Sequence, residues 1–121
     1  MKMKAIAKTI VTDTNTARTV KSGNLDVFST PMMIALMEQA ACVALEETLE
    51  VGQTSVGTKV NIEHIAASRV GSEIIATAVI DEIDGRKVEF TVIARDDIKE
   101  IGKGKHTRFI VDAEKFMAKI K

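Results

Sequence analysis

Residues 28–52 carry an almost unbroken apolar run: Met32, Met33, Ile34, Ala35, Leu36 and Met37, then Ala40 through Leu45, broken only by Glu38 and Gln39. Ser29 or Thr30 can cap a first helical turn, Pro31 suits the first helical position, and Gly52 offers a left-handed stop. About twenty helical residues would span about 30 Å. A helix apolar on every side has to be wrapped by other structure, because a surface helix keeps one polar face. Glu38 is the anomaly in that setting. Its carboxylate loses hydration there, so it must find a hydrogen-bond partner, reach an edge or subunit boundary, or be put to use.

The rest of the chain has to supply the wrapping. After Gly52 the period changes from helical to alternating. Over residues 55–66, Val56, Thr58, Val60, Ile62, His64 and Ala66 share one face, and Gly57, Lys59, Asn61 and Glu63 point the other way. Asp84-Gly85 marks a hairpin joining residues 73–83 to 86–95, and Val88, Phe90, Val92 and Ala94 alternate with polar partners as in a sheet with one buried face. A loop at 96–104 leads to a strand at 105–112, where Phe109 and Val111 read as inward and His106 and Arg108 as outward. Residues 113–121 read as a short tail. Upstream, 5–12 and 17–20 are short β-branched segments around a polar turn, and 21–24 is a loop leading to Phe28, which can pack back over the first helical turn. The order gives one α+β domain spanning 1–121, a long central helix against an antiparallel sheet. One sheet covers one side of a helix, so a second copy of the chain is the economical cover for the other.

With 121 residues the chain is long enough to bury a core without staples. Seventeen basic and 17 acidic side chains cancel, which argues against a nucleic-acid or anionic-membrane partner. No apolar run approaches a membrane span, and the first eleven residues are too broken by lysines for a signal peptide, so the chain reads as cytoplasmic. Cys42, the only cysteine, reads as a small core residue of the helix.

Three reactive groups stand out by context: Thr30 at the helix start, Glu38 two turns on, and His64 on the apolar strand face. Each has a bland alternative: a helix cap, an edge carboxylate, a satisfied core histidine. Together with Val27-Phe28-Ser29-Thr30, the run Met33 to Glu38, Ser55-Val56-Gly57-Thr58, His64-Ile65-Ala66-Ala67, Asp84-Gly85-Arg86 and Ile101 to Arg108, they resemble the hotdog-fold thioesterases related to fluoroacetyl-CoA thioesterase. The resemblance implies a hotdog dimer that binds an acyl-CoA thioester at the subunit interface. Thr30, Glu38 and His64 match the family's catalytic residues, and Gly57 matches its glycine. Coenzyme A enters only as part of the substrate, and no metal or separate cofactor is implied. Thioester hydrolysis needs a nucleophile or activated water, a base, and donors at the developing oxyanion. Glu38 is the candidate base or nucleophile, His64 the acid/base or orienting partner, and Thr30 the group that positions or attacks. Within one straight helix Thr30 and Glu38 lie about 12 Å apart along the axis and about 80° around it, so something must lie between them.

Phe28, Gly57, Gly104, His106 and Arg108 are the candidate substrate-binding residues. Gly102 and Gly104 with Lys103, Lys105 and Arg108 suit a loop gripping the coenzyme's phosphates. A non-catalytic acyl-CoA-binding module and a hotdog dehydratase or acyl transferase are the alternatives. Two stretches depart from the family pattern. Ser68-Arg69 stands where Thr-Pro is frequent, and 21–24 is short and polar where the fluoroacetyl-specific type has a longer aromatic-rich lid, which points away from fluoroacetyl-CoA as substrate.

Overall fold

The computed structural model describes residues 3–120. Five strands, β1 (Lys4–Ile10), β2 (Gln53–His64), β3 (Glu73–Asp84), β4 (Lys87–Arg95) and β5 (Glu100–Asp112), form one antiparallel sheet in the order β1-β3-β4-β5-β2. Helices α1 (Ala17–Val20) and α2 (Thr30–Leu45) lie between β1 and β2, and α3 (Ala113–Ala118) follows β5. The α2 helix packs chiefly across β1 and β3, less on β4 and β2. Inward residues alternate along the sheet as a one-sided core requires: Ile74, Ala76, Ala78 and Ile80 from β3, Val88, Phe90, Val92 and Ala94 from β4.

Local chemistry sets the ends of α2. Ser29, in extended conformation, caps it by accepting from the Met32 amide at 3.3 Å, and Pro31 occupies the first turn. The helix is shorter than its apolar run predicts. Glu46 is still right-handed at the C-cap, and Gly52, at φ +86°, serves the turn into β2 instead of the helix end. One face, including Met33, Leu36, Met37, Ala40 and Ala44, is buried, but Met32 and Val43 stay 37% and 39% exposed. Cys42 is likewise exposed, not in the core. It sits about 200° around the helix from buried Ala40 and Ala44, on the side that the sheet does not reach.

Two segments take helical form against expectation. Residues 17–20 are a helical turn, not a strand, because Thr16 accepts from the Thr19 amide and Lys21 closes the turn at φ 66°. Residues 113–118 form α3, capped by Asp112 accepting from the Lys115 amide at 3.0 Å; Lys121 lies outside the described residues. The 84–87 hairpin closes as expected, with Gly85 at φ +63°.

The irregularity that matters most is a bulge in β2. Gly57 pairs with Arg108, but the next paired residue is Lys59, opposite Thr107, which leaves Thr58 as the extra residue. Directly opposed residues share a face. Gly57 therefore lies with Arg108 on the inner face, and beyond the bulge so do Val60 with His106, Ile62 with Gly104, and His64 with Gly102. Strict alternation had set Gly57 and His64 on opposite faces; the extra residue joins them.

Candidate active site

Helix capping brings Thr30 to the mouth of the first turn, and β2 ends at His64 alongside it. The Thr30 hydroxyl and His64 Nδ1 are 2.8 Å apart. Burial pushes the His64 pKa below the usual histidine value, opposed by the Ala66 backbone nearby. A neutral imidazole can accept a proton from the hydroxyl, which is the pairing that activates a weak nucleophile. The ring's other nitrogen, Nε2, is buried without a hydrogen-bond partner. Buried imidazole nitrogens are ordinarily satisfied, so this one marks where a ligand or another chain's group belongs. An open hollow of about 350 Å³ adjoins the pair, lined by Phe28, Val27, Ala66 and Ala67 among others. Phe28 itself is almost wholly buried, and its amide donates to the Ser68 carbonyl at 2.9 Å.

Glu38 sits two helical turns further on and has different partners. Its Oε2 accepts from an Arg108 terminal nitrogen (Nη1) at 3.3 Å, with His106 Nε2 at 3.9 Å. Arg108 is 6% exposed and fully engaged: Nε donates to the Ser55 hydroxyl at 2.8 Å, Nη2 to the Ser55 carbonyl at 3.1 Å, and Nη1 also faces His106 Nε2 at 3.2 Å. Gly57 completes this half of the site by what it lacks. A Cβ there would fall 2.6 Å from Glu38 Oε2 and 3.2 Å from both the Arg108 and His106 side chains. The glycine leaves room for the carboxylate.

In a single chain these are two separate half-sites. The His64 rung and the Gly57 rung are six residues apart along β5, about 20 Å at the rise of an antiparallel strand. Among the described residues, Thr30 hydrogen-bonds His64 and Glu38 hydrogen-bonds Arg108, with nothing joining the pairs. No cluster of three or more His, Cys, Asp or Glu among those residues could hold a metal ion.

Residues 11–114 match the model of the fluoroacetyl-CoA-specific thioesterase family, FlK. The chain is 38% identical over 96 residues to the fluoroacetyl-CoA thioesterase of Streptantibioticus cattleyicolor, covering 79% of this chain and 69% of that protein. The chain belongs to this family. A solved structure of FlK superposes with a TM-score of 0.93 at 32% identity, covering 99% of this chain and 93% of that one. An FlK variant in complex with fluoroacetate and CoA gives 0.90 at 33% identity over 95% and 94% of the two chains. A Thermus thermophilus protein described as a thioesterase superfamily member gives 0.89 at 27% identity over 97% and 87%. The fold described above is the hotdog fold of these thioesterases.

Set within that fold, part of the sequence reading needs correcting. His106 and Arg108 are not on the outward face of β5: they are 2% and 6% exposed, and Phe109 is 38% exposed. Ile110, not Phe109, sets the inward parity, which runs through Gly102, Gly104, His106 and Arg108. Arg108 is therefore spent on Glu38 and Ser55 and is not free to meet coenzyme phosphates. Gly102 and Gly104 belong to β5, not to a phosphate-gripping loop. A Cβ at Gly104 would fall on the Asn61 carbonyl and the Ile62 backbone, and one at Gly102 would meet the Met33 thioether at 2.5 Å, so both glycines permit close packing.

Sequence reasoning missed the supports. Ser55 was visible only as part of a four-residue pattern. Ser68, where the family often has threonine, donates to Asp96 at 2.8 Å; Asp96 also accepts from the Ile98 and Lys99 amides and from Lys99 Nζ. Burial raises the Asp96 pKa, but those four donors outweigh it and hold the carboxyl well below the usual carboxylate range. The Asp-x-x-Lys spacing of 96–99, an acidic residue opening a turn, was the available signal.

Proposed function

We propose that this chain is an acyl-CoA thioester hydrolase that works as a homodimer in the cytoplasm, releasing a small free acid and coenzyme A with no cofactor of its own. Thr30 and His64 of one subunit act with Glu38 of the other. The observation that carries this reading is the split site: one chain holds a hydroxyl–imidazole pair with an orphaned buried nitrogen, and a carboxylate held elsewhere. Strand β2 is an edge strand, and Val60 at its middle is 44% exposed. An unpaired edge of twelve residues is a template for another strand. A two-fold axis between Val60 and Asn61 would pair two copies of β2 antiparallel and set residue 57 of one beside residue 64 of the other. Glu38 would then face the orphaned Nε2 of His64 in the partner subunit. The exposed apolar side of α2 supports the same association.

In this site His64, neutral and desolvated, takes the proton from Thr30 or from water. Glu38 orients and stabilises the imidazolium or serves as the base, and the start of α2 offers unpaired amides to the developing oxyanion. The hollow beside Thr30 suits a short acyl chain.

Free-thiol release from a panel of short acyl-CoAs, fluoroacetyl-CoA included, tests the activity; binding without turnover of any member would leave only an acyl-CoA-binding module. Subunit complementation tests the sharing. Glu38→Gln and His64→Ala should each lose about 10²-fold or more in rate. Co-refolded in equal amounts they should regain about a quarter of wild-type activity, because half of the dimers are mixed and each has one intact site. A mixture no better than its components would place all three groups in one subunit and overturn the shared site.

A further inference from the structure

Behind Glu38 lies a third polar layer that the proposed chemistry does not use. His106 Nδ1 is 2.8 Å from the Lys59 carbonyl, just past the β2 bulge, and its Nε2 is 3.2 Å from Arg108. A carbonyl can only accept, so Nδ1 carries the proton. A guanidinium can only donate, so Nε2 offers its lone pair. Both neighbours are satisfied only by the neutral Nδ1–H ring. The ring also stacks on Phe90, with centroids 5.8 Å apart and planes inclined at 27°, which restricts its tilt. At 2% exposure it is too deep to meet a substrate.

The same Arg108 nitrogen that faces His106 donates to Glu38. Its two hydrogens therefore point in two fixed directions, one set by a ring anchored to backbone and the other aimed at the carboxylate. Ser55 fixes the opposite side of the fork. We infer that His106 is a positioning residue: anchored to the Lys59 carbonyl, it orients the Arg108 guanidinium and through it the Glu38 carboxylate. This rests on the reading of Glu38 as part of the hydrolytic site.

The test compares His106→Gln, whose amide can both donate and accept, with His106→Leu, which fills space but can do neither. In thioester hydrolysis His106→Leu should lower kcat about tenfold or more while KM moves less than about twofold, and His106→Gln should recover most of the loss. A purely structural histidine would instead lower the melting temperature of both variants and leave kcat alone, and that result overturns the inference. So does an equal kcat loss in both. Nitrogen-15 NMR gives a readout that needs no activity: the His106 ring should be the Nδ1–H tautomer, and the Arg108 guanidinium resonances should be distinct in wild type and His106→Gln but averaged by rotation in His106→Leu. An Nε2–H ring, or unchanged Arg108 resonances in His106→Leu, would refute it. Wild-type protein inactive on every thioester, with the NMR behaviour as stated, would sink the hydrolase reading and leave the positioning intact.

Discussion

Gly57→Ala is the smallest change that should separate folding from catalysis. The added Cβ would lie 2.6 Å from Glu38 Oε2, and an ordinary carbon–oxygen contact needs about 3.4 Å, so the carboxylate must retreat by about 0.8 Å. The 3.2 Å approaches to Arg108 and His106 close the easiest escape on that side. What gives way is the far end of a glutamate that is 39% exposed, so the fold can relax at a cost of about 1 kcal/mol, a few degrees in melting temperature. A reacting group displaced by about 1 Å costs on the order of 10²-fold in rate. Purified Gly57→Ala should therefore melt within about 5 °C of wild type while kcat/KM for its best acyl-CoA falls about a hundredfold. Measuring both on the same preparation decides the matter. Near-normal kcat/KM would mean that Glu38 can move freely without loss, and the argument that Gly57 exists to seat this carboxylate would fail.

Gly104→Ala should behave in the opposite sense, losing several kcal/mol in chemical denaturation because its Cβ would fall on β2 backbone, which cannot swing aside as a side chain can. Asp96→Ala should destabilise by about 2–3 kcal/mol, since the buried Ser68 hydroxyl and two loop amides lose their acceptor, and the melting temperature reports it. Both histidines should make the fold acid-sensitive. Burial lowers the His106 pKa first, with the Lys59 carbonyl opposing, Arg108 adding to the fall, and Glu38 and Glu89 pulling back; burial likewise lowers that of His64. The unfolded chain then binds more protons than the folded one below the ordinary histidine pKa of about 6.5, so stability is full above that pH and drains away as pH falls beneath it. The decline in melting temperature between about pH 6.5 and 5 should be shallower in His106→Gln than in wild type, and parallel slopes would remove His106 from the account.

The limits of the sequence reading fall at one residue. Everything that follows from period and punctuation was legible: α2 from its apolar run and Ser29-Pro31, the β3–β4 hairpin from Asp84-Gly85, the inward row of β4 from strict alternation. Strand β2 defeated the same logic because Thr58 adds a residue that no composition rule announces, and a single insertion reverses the face of everything on one side of it. That reversal puts Gly57 and His64 on one face, and with Gly57 comes its rung partner Arg108. An arginine two residues from another cation, on a strand beside lysines, reads as solvated; only when the bulge is seen does it become the partner of Glu38. The two misreadings are thus one. The carboxylate that looked anomalous in an apolar helix and the arginine that looked ordinary on a polar strand face each other across Gly57, and neither can be explained from its own segment. The resemblance supplied Glu38, Gly57 and His64 by position but not His106 or Ser55, because these act through their neighbours and leave no spacing of their own. If the shared site holds, the bulge also has a use beyond aligning one chain: it sits three residues from the middle of the free β2 edge, so the element that seats Glu38 is the element that a second copy must meet.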